Sequence, residues 1–320
     1  MDNQFKTQLL IDDFQELCTR KKSWIYDENS IYYVQQMALN RDKLKQEFNC
    51  LQEKYGEYIN YDCTKHRFPN IVDSKTFNNT TMNILHDSSE NLTSSGQFAS
   101  TLTGPNELTR TNSNLTGAKY SICNKTCMAT QQPIDFKENY VSTTNDFLSE
   151  GFLYGNNGDC QLVINLNNYE HSRNYLVKNS TLFDLITISN YKISVNLSIE
   201  YFNLHEKNSP KFRTMIVIHY TGWPDFGVPD SPLEFCKMFV VIQNFLPIVS
   251  FVMVHCRAGV GRTGTLLAMM KYHDVLLQSK CPNLVKIIKE LRHGRPLMVQ
   301  LSSQFDFIIT CMNYIIDNDI

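Results

Sequence analysis

Val254-His255-Cys256-Arg257-Ala258-Gly259-Val260-Gly261-Arg262-Thr263-Gly264 follows an apolar run, Ser250-Phe251-Val252-Met253, and leads into Leu266-Leu267-Ala268-Met269-Met270. That order predicts a buried strand, a tight glycine-rich turn and then a helix. Such a turn directs backbone N–H groups inward. The positive end of the new helix adds to them, and together they form an anion-binding cradle. Cys256 opens the cradle and Arg262 closes it six residues on. A thiol there ionises readily, because the N–H groups and the helix dipole favour the thiolate. The planar fork of Arg262 suits two phosphate oxygens at once. Taken alone, Cys256 has a structural alternative, since free cysteine is among the most buried residue types. Its place between His255 and a glycine loop ending in arginine favours a nucleophile.

The same loop contains Gly259-Val260-Gly261-Arg262-Thr263-Gly264, which fits the G-x-G-x-x-G of a dinucleotide fold. Two observations oppose that reading. Where a ribose-binding acid is expected, roughly 20 residues on, the sequence is Pro282-Asn283-Leu284-Val285. Too little chain follows Gly264 to complete such a domain. A nucleoside-triphosphate loop is excluded because no Lys-Ser or Lys-Thr ends the glycines.

The chain has 320 residues, enough for one large domain or two small ones. Hydrophobic residues make up 42% and charged residues 19%, which supports a globular core. A net charge of -2 leaves no global basic field, so a nucleic-acid partner is not expected. The ten cysteines form no C-x-x-C pair and no zinc-ligand spacing. They read as reduced thiols in a reducing compartment, and no metal or other cofactor is expected. The N-terminus, Met1-Asp2-Asn3-Gln4-Phe5-Lys6, is polar, so no secretory leader is expected. No run reaches the roughly 18 apolar residues of a membrane helix. A cytoplasmic location without membrane insertion follows as the expectation.

Along the chain, apolar residues fall at helical spacings over 1–55. They suit either partner-binding helices or helices that complete the core. From Ser74 to Ala118 the composition shifts to Ser, Thr, Asn and Gly, which predicts a surface insertion. Phe136 to Leu148 is weakly helical. Gln161 to Leu166 reads as a buried strand, and Tyr191 to Glu200 alternates apolar and polar like a half-buried strand. Phe212 to Tyr220 reads as a further strand. Pro232 to Leu246, Asn283 to His293 and Ser302 to Asp317 read as helices. The domain expectation is an N-terminal helical extension over 1–29 and one catalytic domain over 30–320, with 74–118 inserted in it.

Five segments now carry a resemblance. His255-Cys256-Arg257-Ala258-Gly259-Val260-Gly261-Arg262-Thr263-Gly264 resembles the signature loop of the classical, non-receptor type protein tyrosine phosphatases. Trp223-Pro224-Asp225, with Gly227-Val228-Pro229 after it, resembles their mobile acid loop. Arg292-x-x-Arg295-x-x-Met298-Val299-Gln300-x-x-x-Gln304 resembles their water-positioning glutamine segment. Lys65-His66-Arg67-Phe68 resembles their Lys-Asn-Arg-Tyr loop, and Ala129-Thr130-Gln131-Gln132-Pro133 their Ala-Thr-Gln-Gly-Pro. The resemblance spans roughly 30–320 and is strongest from Phe212 onward. Five motifs in one order are far more specific than any alone.

The resemblance implies an α/β fold with a twisted mixed central β-sheet flanked by helices. It also implies hydrolysis of phosphotyrosine in proteins. In that scheme Cys256 attacks phosphorus and Arg262 with the loop N–H groups of Arg257, Ala258, Gly259, Val260 and Gly261 holds the phosphoryl oxygens. Asp225 is the general acid, then the base. Gln300 and Gln304 place the attacking water, Gln304 also lining the substrate site. Thr263 hydrogen-bonds the sulfur, His255 orients the loop and helps hold the thiolate, and Phe68 walls the pocket. Phosphotyrosine-containing proteins are the implied partners.

There are departures from the family. Phe68 stands for a tyrosine, His66 for an asparagine, Asn70 for an acidic residue and Leu301 for a threonine. These changes bear on substrate grip more than on chemistry. The divergence and the Asn-rich character are similar in style to the phosphatases of parasitoid-wasp bracoviruses. That likeness implies action on phosphotyrosine signalling in an infected host. Two alternatives stand beside hydrolysis of phosphotyrosine proteins. One is a pseudophosphatase that binds and traps such proteins. The other is a phosphatase for phosphoinositides or RNA 5′-phosphates that shares the Cys-x5-Arg loop.

Overall fold

Apolar runs too short for helices and too continuous for a one-sided sheet belong in the middle of a parallel sheet, buried on both faces. Cys160–Asn165, Phe212–Tyr220 and Phe251–Cys256 are such runs. In the computed structural model of the chain they are neighbouring central strands. The structure describes residues 14–21, 24–56, 117–123, 125–131, 160–168, 183–208, 210, 212–224, 227–249 and 251–318. Among these residues three helices come first, α1 (Phe14–Thr19), α2 (Glu28–Leu39) and α3 (Arg41–Gly56). The next described elements are six strands: β1 (Gly117–Ile122), β2 (Lys125–Gln131), β3 (Cys160–Asn165), β4 (Phe183–Lys192), β5 (Leu197–Glu206) and β6 (Phe212–Tyr220). Then come α4 (Pro232–Phe245), a 3-10 turn (Leu246–Ile248), β7 (Phe251–Cys256), α5 (Gly261–Leu277), α6 (Leu284–Gly294) and α7 (Ser302–Asp317).

The seven strands form one mixed sheet in the order β1-β2-β7-β3-β6-β5-β4. The pairs β2–β7, β7–β3 and β3–β6 are parallel, and the outer pairs are antiparallel. Val252 and Val254 of β7 are buried on one face and Met253 on the other. Leu162, Ile164 and Val163 of β3 do the same. Helix α4 packs on β6, while α5 packs on β7, β2 and β1. Helix α7 packs against α4, α5, α2 and α3. The expected mixed central sheet with flanking helices is the one observed.

Helix starts follow their caps. Ser231 accepts from Leu233 N at 3.3 Å ahead of Pro232, and Asn283 Oδ1 accepts from Lys286 N at 2.8 Å. The expected strand over Tyr191 to Glu200 is a correction. It is a hairpin, with β4 ending at Lys192 and β5 starting at Leu197. Ile193 N and Ser194 N donate to Leu197 O at 2.9 and 3.2 Å, and Asn196 N donates to Ser194 Oγ. The Ser194 side chain bonds the local backbone and so favours a turn, although the apolar alternation runs straight through it. Val195 sits at the tip, 69% exposed.

The N-terminal helices contribute to the core. Phe14, Leu17, Trp24, Val34 and Phe48 are buried in the same cluster as the sheet. The expected helix over Phe136 to Leu148 and most of the 74–118 stretch lie outside the described residues, as do Phe68 and Asp225.

Candidate active site

Strand β7 ends at Cys256, and α5 begins at Gly261, so residues 257–260 make the turn between them. Its shape depends on glycine at Gly259, whose φ is +72°, in the left-handed region. Arg295 holds the turn from outside. Its Nε donates to Gly259 O and its terminal nitrogen to Ala258 O, each at 3.0 Å. A trans peptide points its N–H opposite its C=O. Carbonyls turned toward Arg295 therefore turn the N–H groups of Gly259 and Val260 the other way. Gly259 N accordingly donates to Cys256 Sγ at 3.2 Å. The sulfur sits at the mouth of an N–H cradle capped by the N-terminus of a 17-residue helix.

Arg262 lies in the first turn of α5 and is 7% exposed. Its guanidinium donates to Leu166 O at 3.0 Å and to Pro224 O at 2.8 Å. The first contact reaches the end of β3, and the second reaches the segment expected to carry the acid. Trp223 anchors that segment. It is buried edge-on against Phe235 and Phe307, and its Nε1 donates to Gly227 O at 3.0 Å across the intervening residues.

The glutamine segment closes on the cradle from α6 and α7. Val299 N donates to Val260 O at 3.1 Å. A Cβ on Gly264 would come within 2.3 Å of Val299 N, so this approach requires glycine there. Leu297 and Val299 both hold positive φ, 65° and 58°. Gln304 Oε1 accepts from Gln300 N at 2.9 Å and Leu301 N at 3.2 Å, satisfying the start of α7. Its Nε2 lies 2.9 Å from where a Cβ on Gly261 would be, and Gln300 Oε1 lies 3.5 Å from the same point. Both glutamines therefore face the start of α5.

His255 is fully buried beside the nucleophile, and Leu166 N donates to its carbonyl at 3.0 Å. Burial pushes its imidazole down to about 3, His219 nearby adds to the shift, and a backbone hydrogen bond at Cys256 opposes it. The ring is neutral at neutral pH and acts through hydrogen bonding, not as a cation. Burial also lowers His219, whose Nε2 meets Asn167 O at 3.0 Å. Thr263 is fully buried, and its hydroxyl has no hydrogen-bond partner among the described residues, Cys256 Sγ included.

These histidines set a pH dependence. Below about 6.5 the unfolded chain takes up protons that the folded chain refuses, so ν is larger for the unfolded state and stability falls as pH falls. The unfolding temperature is expected to drop steadily from about pH 7 to about pH 5, with a shallower slope in His255→Asn. A midpoint that is flat or rises on acidification would contradict this.

The structure thus brings together His255, Cys256, Arg257, Ala258, Gly259, Val260, Gly261, Arg262, Thr263, Gln300 and Gln304. Asp225 and Phe68 lie outside the described residues. Two site-building residues had been noted in the sequence only as part of a motif. Arg295 shapes the turn. Arg292, fully buried, donates from Nε to Met298 O and from a terminal nitrogen to Val299 O, and stacks over the Phe48 ring at 5.2 Å. Their spacing before Met298 was the signal. Among the described residues no group of three or more His, Cys, Asp or Glu is placed to hold a metal, and no helix is long and apolar enough to cross a membrane.

Comparison with known proteins agrees with this geometry. The family model described as protein-tyrosine phosphatase matches residues 112–314. Receptor-type tyrosine-protein phosphatase eta of Gallus gallus is 31% identical over 135 residues, 41% of this chain and 10% of that protein. Receptor-type tyrosine-protein phosphatase epsilon of Rattus norvegicus is 32% identical over 127 residues, 38% of this chain and 18% of the relative. Human receptor-type tyrosine-protein phosphatase eta is 36% identical over 97 residues, 29% of this chain and 7% of the relative. The chain spans only a small part of the length of these relatives. The family match takes in well over half of the chain, including the Cys256 turn, its supporting arginines and the glutamine segment, and on that ground the chain belongs to the protein-tyrosine phosphatase family.

Proposed function

We propose that the chain hydrolyses phosphotyrosine in proteins in two steps. In the first, the Cys256 thiolate attacks phosphorus, an S–P bond forms and the P–O bond to the phenol breaks, with Asp225 giving its proton to the leaving oxygen. In the second, water attacks the phosphocysteine, Asp225 takes its proton, and phosphate leaves the sulfur. Arg262 and the turn N–H groups match the equatorial oxygens in both steps. Gln300 orients the water, and Gln304 holds the segment that carries it. Phe68 forms an aromatic wall without a hydroxyl.

The observation that carries this reading is the pairing of Cys256 with the turn. Gly259 N–H already meets the sulfur, while Arg262 ties the turn to Pro224 beside the expected acid. The names of the relatives support tyrosine-protein phosphates as the substrate class. The test is a panel of phosphotyrosine peptides, phosphoserine peptides and phosphoinositide vesicles. Phosphotyrosine peptides are expected to lead in kcat/KM by at least about 100-fold. Equal or greater turnover of phosphoinositides would overturn the substrate class.

The proposal extends to a cytoplasmic enzyme that lowers phosphotyrosine signalling in an infected host cell, in keeping with the departures at Phe68, Asn70 and Leu301. Expression in cultured insect blood cells should lower total phosphotyrosine only when Cys256 is intact. Equal loss with Cys256→Ser would refute catalytic interference.

A further inference from the structure

One face of α3 meets α7 and the glutamine segment. Along it, Arg41 donates to Asp306 O and to Thr310 Oγ1, Lys45 pairs with the Asp306 carboxylate, and Asn49 Oδ1 accepts from Ser302 Oγ at 2.7 Å. Gln52 completes the row and does something the others do not. Its Oε1 accepts from Arg292 at 2.5 Å, and its Nε2 donates to Gln300 O at 2.6 Å. Arg292 holds Met298 O and Val299 O. Three successive carbonyls of the glutamine segment are therefore held, two by Arg292 and the third by Gln52. The N–H of Gln300 is held by Gln304. Its main chain is thus fixed on both sides, next to a Val299 that sits at positive φ. Helix α3 lies outside the 112–314 family match, so this clamp reaches in from a part of the chain that the match does not cover.

We infer that Gln52 is a positioning residue for the second chemical step. By holding the Gln300 carbonyl and the Arg292 guanidinium together, it aims the Gln300 side chain at the water that hydrolyses the phosphocysteine. The inference rests on the reading of Gln300 given above. A side chain released at its own main chain samples more rotamers and spends less time in the attacking geometry. The first step does not use that water, so the two steps separate the role from general damage.

The experiment compares Gln52→Glu, Gln52→Ala and Gln300→Ala with the unaltered chain. Gln52→Glu keeps an acceptor for Arg292 and replaces the donation to Gln300 O by a carboxylate oxygen that faces the carbonyl and repels it. Rapid mixing with an aryl phosphate reads phosphoenzyme formation as a burst of phenol, and acid-quenched radiolabelled phosphoenzyme reads its decay. Gln52→Glu is expected to keep the burst rate and the unfolding temperature, Gln52→Ala to melt lower because buried Arg292 loses an acceptor, and both to slow phosphoenzyme decay roughly 3–10-fold, the worth of one neutral hydrogen bond. Gln300→Ala should slow the same decay by more. If Gln300→Ala slows decay and Gln52→Glu does not, the positioning role is wrong. If both steps fall together in Gln52→Glu, Gln52 is only structural. If Gln300→Ala leaves decay unchanged, the reading of Gln300 fails first and the inference falls with it.

Discussion

Cys256→Ser is expected to leave no turnover of an aryl phosphate above background, a loss on the order of 10⁵–10⁶-fold, the scale seen when a covalent hydrolase loses its nucleophile. The arrangement around the sulfur explains so large an effect. The cradle is built to hold an anion, with Arg295 turning the Ala258 and Gly259 carbonyls outward and Gly259 N–H meeting the sulfur. Sulfur is the stronger nucleophile toward phosphorus, whereas a serine hydroxyl attacks it poorly without a base to take its proton. His255 gives no help as a base, because burial disfavours the protonated ring it would have to become. Binding should survive, since the turn N–H groups and Arg262 are untouched. The measurement is turnover together with calorimetric binding of a phosphotyrosine peptide. Tight binding without turnover in the variant, against fast turnover in the unaltered chain, distinguishes an enzyme from a binding module. Residual turnover within tenfold of the unaltered chain would remove Cys256 from the mechanism. Equal absence of turnover in both chains would favour a pseudophosphatase.

The parts of this site that were legible in the sequence are those whose cause is local. Phe251 to Gly264 reads as strand, turn and helix because a two-sided apolar run, a glycine needing positive φ and a helix start follow one another within one segment. The starts of α4 and α6 were legible for the same reason, through Ser231 with Pro232 and through Asn283. The hairpin at 193–196 was not, because the period of apolar residues does not break where the chain turns. Only the Ser194 side chain marks it, accepting from Asn196 N. Gln52 was illegible for a different reason. Its two partners lie 240 and 248 residues away, and no pattern within α3 sets it apart from the other polar residues of that helix. Arg292 and Arg295 fall between these cases. Their positions were visible in the motif, but what they hold, carbonyls of two different turns, depends on where the chain after α6 meets the turn after β7.

Asp225→Ala is expected to lower kcat by about 10²–10⁴-fold, roughly 3–5 kcal/mol of transition-state stabilisation, while peptide binding stays close to normal. The described residues that flank it in sequence, Pro224 and Gly227, are both held. Arg262 holds Pro224 O at 2.8 Å, and Trp223, packed on Phe235 and Phe307, reaches across to Gly227 O. The leaving group supplies the sharper test. A phenol that departs easily as an anion needs little protonation, and one that departs poorly needs it fully. The deficit in Asp225→Ala should therefore be small for a strongly acidic phenol and should grow as the phenol becomes less acidic. The descending limb of the rate against pH, set by loss of the acid's proton, should vanish in the variant. Asp225→Asn should behave alike, since an amide of the same shape cannot deliver the proton. If the deficit is the same for every leaving group, Asp225 shapes the loop and the proton comes from another residue.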